Sequence, residues 1–287
     1  MMTQDCKLFH GDQMANRIGV CSWSLQPSDT HDLTQSLEKV GVTRVQLHLN
    51  PYADSVAERS GLIRSIDQNQ LEVLSGMMTT VGEDYSTLDS IKETGGLRPD
   101  LHWDANQVQA ERCAAFAKEL GLSLVTLHAG FLPEDDTVLH DLMVERIRRI
   151  AEIFNLCGIC LGLETGQERS PTLLGLLSTL HPDFDIGVNF DPANMILYGM
   201  GDPIEAMSEL APHIVQLHMK DAVETEVPGA WGTEMPAGEG EVDWSRFFEI
   251  LGALEHQPDV LIERESGANR IGDIRTALRL FENMSGR

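Results

Sequence analysis

The feature that most constrains the fold is a regular alternation of strand-like and helix-like segments along most of the chain. Eight short apolar runs predict strands, and each is followed by a segment whose apolar residues recur at helical spacing. The predicted strands span 17–23, 43–49, 71–78, 122–130, 159–165, 185–191, 213–219 and 259–265. The predicted helices span 30–40, 54–69, 105–120, 136–156, 170–180, 203–211, 243–256 and 270–283.

Helical crossovers between successive strands imply that the strands run parallel, because antiparallel neighbours need only a short turn. Eight such units within 287 residues predict one α/β domain, a (β/α)8 TIM barrel spanning 1–287 with 1–16 as an N-terminal extension. An open doubly wound sheet fits less well. Such a sheet carries a glycine-rich fingerprint after its first strand, and residues 21–29 contain no glycine.

Two segments between predicted elements are unusually long. Residues 79–106 follow the third strand, and residues 220–244 follow the seventh. Loops of this length are uncommon in compact domains unless they cover a functional site. Both would emerge at the carboxyl ends of the strands, where TIM barrels carry their chemistry, so we predict that they are active-site loops.

The charge balance narrows the class of partner. The chain has 45 acidic against 21 basic residues, a formal net charge of −24. Such a surface repels nucleic acid and anionic membranes, so we expect neither as a partner. No apolar run is long enough to cross a membrane, and residues 1–16 lack the apolar core of a signal peptide. We therefore expect a cytoplasmic protein that acts on a small molecule.

The predicted strands end in residues that can bind metals or transfer protons. Side chains alternate along a strand, so apolar neighbours such as Val188 and Phe190, or Val215 and Leu217, should face the helices. The polar strand-end residues should then point into the barrel. They are His48, His128, Glu164, Asp191, His218 and Glu263.

Four of these residues come from consecutive predicted strands. Glu164, Asp191 and His218 are separated by equal steps of 27 residues, and Glu263 follows 45 residues later. Three carboxylates brought together cannot all stay ionised without a cation. Three oxygen ligands and one imidazole predict a site for one Mn²⁺ or Mg²⁺ ion, with Zn²⁺ or Co²⁺ also compatible.

A buried ion-pair network without a metal is the alternative for this cluster. It is less consistent with the sequence, because Lys220 and Arg264 are the only cations near these strand ends. These two residues could instead hold a substrate phosphate or carboxylate. His48 is equally consistent with a hydrogen-bonded core residue and a substrate contact, while we expect His128 to contact substrate. Trp23 is expected either to shape the pocket or to pack.

Several segments resemble one known family. They are GLETG (162–166), NFDPANMILYG (189–199), VQLHMKDA (215–222), PAGEGEVDW (236–244) and LIERE (261–265). The chain resembles the xylose isomerase-like TIM barrels, specifically the sugar phosphate isomerase/epimerase group, which includes the ketose 3-epimerases. The resemblance implies one divalent metal ion, held by the four strand-end residues at 164, 191, 218 and 263. It also implies that the two glutamates transfer protons through an enediolate of a sugar or sugar phosphate.

One position departs from the family pattern. Relatives frequently have a substrate-contacting histidine three residues after the aspartate, where this chain has Asn194. An amide can donate and accept hydrogen bonds there, but it cannot shuttle a proton near neutral pH. We therefore expect Asn194 to contact substrate without taking part in proton transfer.

Other functions remain open from the sequence. A dehydratase of the inosose or dehydroshikimate type would use the same enolate chemistry. A phosphodiesterase related to the apurinic-site endonucleases is less consistent with Asn194 and with the acidic surface. A non-catalytic sugar-binding barrel would also bind a metal and a sugar. The sequence leaves open whether the chain forms a homo-oligomer.

Overall fold

The computed structural model describes residues 17–68, 70–134, 137–227 and 229–285. The predicted N-terminal extension, 1–16, lies outside the described residues. So do position 69, the end of the second predicted helix, and position 136, the start of the fourth.

Eight parallel strands close into a barrel, which confirms the predicted TIM-barrel fold. Each strand pairs with the next one along the chain, and the last pairs with the first to complete the ring. In chain order the strands are β1 (Ile18–Cys21), β2 (Arg44–His48), β3 (Glu72–Met77), β4 (Leu124–Leu127), β5 (Cys160–Glu164), β6 (Ile186–Phe190), β7 (Ile214–Met219) and β10 (Asp259–Ile262).

Helices connect the strands, and the local sequence explains where several of them begin and end. They are α1 (Thr30–Val40), α2 (Asn50–Asp54), α3 (Val56–Asp67), α4 (Leu88–Thr94), α5 (Trp103–Glu119), α6 (Thr137–Asn155), α7 (Ser170–Leu180), α8 (Pro192–Tyr198), α9 (Pro203–Leu210), α10 (Trp244–Ala253) and α11 (Arg270–Ser285). Asp202 caps α9 by accepting the backbone N–H groups of Ile204 and Glu205, and a proline follows it. Gly41 ends α1 at a φ of 94°, a conformation that glycine adopts without strain.

The long segments predicted as loops contain regular structure of their own. Residues 79–106 include α4, a 3₁₀ turn at Asp100–His102 and the start of α5. Residues 220–244 include an antiparallel hairpin of β8 (Asp221–Val223) and β9 (Thr233–Met235). The first predicted strand is also shorter than expected, since a 3₁₀ turn at Ser22–Leu25 follows β1.

The main core lies between the strands and the surrounding helices, and two small clusters separate from it lie inside the barrel. Cys21, Leu74 and Leu261 form one cluster, and Leu124, Cys160 and Val215 form the other. The expectation that Val215 faces the helices was wrong. A register shift pairs Val188 with Ile214 and Asn189 with Gln216, so Val215 is an extra residue in β7 and strict alternation fails there.

Helix length and composition also bear on membrane association. Across the described ranges, none of the helices combines the length and the apolar content that a bilayer crossing requires.

Candidate metal centre and active site

The structure brings Glu164, Asp191, His218 and Glu263 together at the carboxyl ends of the barrel strands. Glu164 ends β5, Asp191 follows β6, His218 lies in β7 and Glu263 follows β10. All four are buried, and one potential ligand atom from each lies within 4.8 Å of the others. The side chains therefore form one compact cluster, which we call the four-residue cluster.

The imidazole of His218 lies among the three carboxylates. Its Nδ1 atom is 3.3 Å from Glu164 Oε1, 3.4 Å from Glu263 Oε2 and 3.6 Å from Asp191 Oδ2. Burial disfavours the charged ring, but the negative groups around it outweigh burial and raise the pKa of His218 well above its ordinary value. The cluster thus attracts positive charge, either a proton or a metal ion.

A hydrogen-bond contact of the other ring nitrogen of His218, Nε2, orients the imidazole so that Nδ1 faces the four-residue cluster. Its Nε2 atom lies 2.7 Å from Gln46 Oε1, and Gln46 donates through its own Nε2 to Thr126 Oγ1 at 2.7 Å. Gln46 Oε1 can only accept and lies nearer to this nitrogen than Asn189 Nδ2, which is 3.1 Å away, so it favours the tautomer with a proton on Nε2 and a lone pair on Nδ1. Among the described residues, His218 Nδ1 and Asp191 Oδ2 have no hydrogen-bond partner. Unpartnered buried atoms of this kind fit a bound cation.

Below the four-residue cluster lies a layer of buried polar side chains that the sequence analysis did not identify. We call it the floor: Gln46, Ser75, Thr126, Asn189 and Gln216. Ser75 Oγ donates to Gln216 Oε1 at 2.5 Å, and Gln216 Nε2 donates to Asn189 Oδ1 at 3.1 Å. Asn189 Nδ2 then lies 3.3 Å from Glu164 Oε2. The floor therefore orients both Glu164 and His218.

A sequence signal for the floor exists. Gln46, Thr126, Asn189 and Gln216 each stand two positions before a strand-end residue, at 48, 128, 191 and 218. Alternation places residues two apart on the same face of a strand. Polar residues two positions before the strand-end residues therefore predict a polar layer beneath the four-residue cluster.

The two glutamates are each held by hydrogen-bond donors. Glu164 Oε1 accepts from Asn194 Nδ2 at 3.0 Å, and His128 Nε2 lies 3.4 Å away. Glu263 accepts from Trp23 Nε1 at 2.6 Å and from Lys220 Nζ at 2.9 Å. Burial opposes ionisation of both carboxyls, but the nearby cationic groups outweigh it and lower the pKa of each glutamate.

Lys220 is buried and fully hydrogen-bonded. Its ammonium group donates to Asn194 Oδ1 at 3.1 Å, Glu263 Oε2 at 2.9 Å and Glu265 Oε2 at 2.5 Å. These contacts use all three ammonium hydrogens. Because Asn194 accepts from Lys220 through its oxygen, its nitrogen faces Glu164, and the pair links the two glutamates.

A cavity of about 290 Å³ opens above the four-residue cluster. Four of the residues predicted to contact substrate line it: Trp23, His48, His128 and Asn194. His48 Nε2 is 3.0 Å from Thr79 Oγ1, on the loop that follows β3. Both predicted active-site loops reach the cavity, the first through Thr79, Glu83 and Tyr85 and the second through Trp231.

The structure directs Arg264 away from this cavity. Its guanidinium donates to Glu234 Oε1 at 2.7 Å and to Asp273 Oδ2 at 2.9 Å, and Arg264 is not among the cavity-lining residues. Contact between Arg264 and substrate stays a prediction.

Asp221 organises the loop after β7, and the sequence analysis did not assign it a role. Its buried carboxylate accepts the backbone N–H groups of Ala222, Gly238, Gly240 and Val242. The indole of Trp244 donates to the same carboxylate at 2.9 Å. One side chain thus holds both ends of the segment that carries Trp231.

Comparison with known proteins agrees with this architecture. The chain is 25% identical over 228 residues to YihM, an uncharacterised protein of Escherichia coli K12, across 74% of this chain and 68% of the relative. It superposes on a xylose isomerase domain protein from Planctomyces limnophilus with a TM-score of 0.85 and 26% identity. That match covers 95% of this chain and all of the other.

More distant structures share the fold alone. The probable 3-DHS dehydratase AsbF of Bacillus anthracis has a TM-score of 0.70 and 18% identity over 93% of this chain and 99% of its own. Structures of L-ribulose 3-epimerase, of a D-tagatose 3-epimerase-like protein, and of proteins solved with magnesium or zinc have TM-scores of 0.68–0.72 at 14–18% identity. The family model for the xylose isomerase-like TIM barrel matches residues 27–284, and the protein belongs to that family.

Proposed function

We propose that the protein is a divalent-metal-dependent sugar isomerase or epimerase in which Glu164 and Glu263 transfer protons. The observation that carries the proposal is the four-residue cluster at the base of a sugar-sized cavity, in which His218 Nδ1 and Asp191 Oδ2 have no hydrogen-bond partner among the described residues. Family membership and the fold shared with ketose 3-epimerases support it.

Glu164, Asp191, His218 and Glu263 would hold one metal ion. The oxygen-rich donor set favours Mn²⁺ or Mg²⁺, and the imidazole also makes it compatible with Zn²⁺ or Co²⁺. When bound, such an ion polarises a substrate carbonyl and stabilises negative charge on the substrate oxygens.

The two glutamates then act on the carbon next to the carbonyl. Their lowered pKa values leave both carboxylates ionised near neutral pH, so either can remove the C–H proton as a base. Return of a proton to the opposite face of the same carbon by the other glutamate gives an epimer. Return to the adjacent carbon gives an aldose–ketose pair. Asn194 and Lys220 hold the two carboxylates in place during the transfer.

A dehydratase is the second candidate. It would begin with the same proton removal, and the hydroxyl group on the neighbouring carbon would then take up a proton from a glutamic acid and leave as water. The fold shared with the probable 3-DHS dehydratase over 93% of the chain favours this reaction over the remaining alternatives. Analysis of the product separates it from an isomerase or an epimerase.

The decisive experiment incubates the Mn²⁺-loaded protein in D₂O with a panel of ketoses, inososes and their phosphates. We expect NMR to detect deuterium at the carbon next to the carbonyl. Glu164→Gln and Glu263→Gln should abolish exchange while the circular dichroism spectrum stays unchanged. Glu239→Gln removes the same charge from an exposed residue of the loop after β7 and should leave exchange intact.

Metal removal provides a second readout. EDTA should stop exchange, and Mn²⁺ or Mg²⁺ should restore it. Exchange that survives in either glutamine variant, or that persists in protein shown by elemental analysis to be metal-free, would contradict the proposed mechanism.

A further inference from the structure

We propose that the substrate is an uncharged polyhydroxy compound, and that Glu83 and Glu265 exclude phosphorylated and carboxylated analogues. This inference rests on the proposed function and specifies the substrate class of that site. It follows from the charged groups that surround the cavity and from the way in which each is paired.

The cation nearest the cavity is already fully engaged. Lys220 gives its three ammonium hydrogens to Asn194, Glu263 and Glu265, and its side chain is only 2% exposed. A substrate phosphate could bind Lys220 only by displacing one of these partners. Displacing Glu263 would move one candidate proton-transfer group, and displacing Asn194 would disturb the amide that holds the other, Glu164.

Two arginines near the rim are also engaged elsewhere. Arg264 pairs with Glu234 and Asp273, and Arg270 donates to the main-chain carbonyls of Trp23 and Glu265. Neither arginine lines the cavity. Among the residues that the structure describes, the cavity wall therefore contains no lysine or arginine to neutralise a substrate anion.

Carboxylates, by contrast, reach the cavity from two sides. Glu83 lines it from the loop after β3, with Oε1 accepting the backbone N–H of Gly96 at 3.1 Å. Glu265 lines it from the segment after β10, and 52% of its side chain is exposed. A phosphate group entering between them would meet like charge, which is a strong means of rejecting the wrong ligand.

The remaining wall suits hydroxyl groups and C–H faces. The rings of Tyr198 and Trp231 lie with centroids 4.9 Å apart, and Trp23 also lines the cavity. Aromatic faces pack against the apolar side of a sugar ring. The buried Trp231 Nε1 has no hydrogen-bond partner among the described residues, so it can donate to a substrate oxygen. Burial lowers the pKa of His48, which favours its neutral form beside such a ligand.

Glu265 is the main specificity residue in this arrangement because it accepts the third ammonium hydrogen of Lys220. Replacing it with glutamine removes the charge and weakens that contact. Lys220 would then carry a positive charge that a phosphate could approach. The Glu265→Gln variant should therefore gain affinity for phosphorylated compounds. Replacing a wall residue without this role would change the affinity for a sugar and for its phosphate alike.

The test uses matched pairs: D-fructose with D-fructose 6-phosphate, and D-ribulose with D-ribulose 5-phosphate. Binding to the Mn²⁺-loaded protein is measured by calorimetry, and proton exchange by NMR in D₂O. We expect binding and exchange with neutral members only. A phosphorylated member that binds as tightly as its neutral partner would overturn the inference.

Phosphate affinity in the variants decides the question even if no sugar is turned over. Inorganic phosphate is titrated into the wild-type protein, Glu265→Gln and the control Glu239→Gln. We expect at least about a tenfold gain for Glu265→Gln and none for the control. Equal phosphate affinity in both variants would overturn the role of Glu265. Absence of exchange with every compound in both panels would instead overturn the proposed function.

Discussion

The floor and the mouth of the barrel, by which we mean the site between the floor and the cavity, both contain buried polar groups. They differ in whether these groups are hydrogen-bonded. In the floor, Gln46, Ser75, Asn189 and Gln216 bond to one another and to the site above. In the mouth, four buried atoms have no hydrogen-bond partner among the described residues: Asp191 Oδ2, His128 Nδ1, His218 Nδ1 and Trp231 Nε1. Since an unpartnered buried polar group is costly, we propose that a ligand completes the mouth and that the floor orients the side chains that would bind it.

His218 joins the two regions, so its replacement should have the largest effect. His218→Ala removes the imidazole of the four-residue cluster and leaves three carboxylates facing one another. We expect the loss of tight Mn²⁺ binding, by more than the roughly 10–100-fold typical of outer-shell partners. Calorimetric titration with Mn²⁺ measures it, with circular dichroism as a check of folding. Wild-type affinity in a folded variant would remove His218 from the proposed ligand set.

The fold and the four-residue cluster could be predicted because each depends on a local, periodic signal. Eight strand-and-helix units define the barrel, and parallel strands in a barrel place their carboxyl ends together. Glu164, Asp191 and Glu263 could thus be assigned to one ring from their positions alone. The floor was missed because only the strand ends were considered, although polar residues two positions earlier carry the same alternation.

The features that could not be predicted depend on long-range geometry. The orientation of Val215 was wrong because a register shift between β6 and β7 breaks the alternation. The pairing of Arg264 with Glu234 joins residues 30 positions apart, and a loop conformation brings them together. Four of the five bonds to Asp221 arise in the same way, because their donors at 238, 240, 242 and 244 lie 17 to 23 positions further along the chain. No short sequence pattern specifies such contacts.

Glu168 tests the contrast between floor and mouth, because it is a buried carboxyl outside both regions. It lies between β5 and α7, is 7% exposed, and belongs neither to the floor nor to the residues lining the cavity. Burial raises the pKa of Glu168 from 4.5 to about 8. Replacing a polar group that binds a ligand should lower activity, whereas replacing a group that is only buried should change stability alone. We expect Glu168 to behave in the second way.

The raised pKa gives the pH dependence a definite sign. Between pH 4.5 and about 8 the unfolded chain ionises Glu168 while the folded protein keeps it neutral. The contribution of Glu168 to the free energy of unfolding is therefore complete below pH 4.5. It is lost between pH 4.5 and about 8, by about 1.4 kcal/mol per pH unit. Glu168→Gln should gain stability relative to wild type between pH 5 and pH 8, measured by urea unfolding. A stability difference that is the same at both values, or the same as in Glu239→Gln, would contradict this.

The smallest effect is expected from the floor itself. Gln46→Leu removes the acceptor of the His218 Nε2 proton and leaves an apolar side chain of similar volume. The ring would lose the contact that fixes its tautomer, and we expect Mn²⁺ affinity to fall by about 10–100-fold. Calorimetric titration with Mn²⁺ gives the affinity, and urea unfolding gives the stability of the same variant.

Ser75→Ala is the matched control within the floor. Ser75 donates to Gln216 and makes no hydrogen bond to a member of the four-residue cluster. Its loss should reduce stability by about 1 kcal/mol and leave Mn²⁺ affinity unchanged. If Ser75→Ala lowers Mn²⁺ affinity as much as Gln46→Leu does, the floor acts through general rigidity. A difference confined to Gln46→Leu would instead support orientation of the histidine as its function.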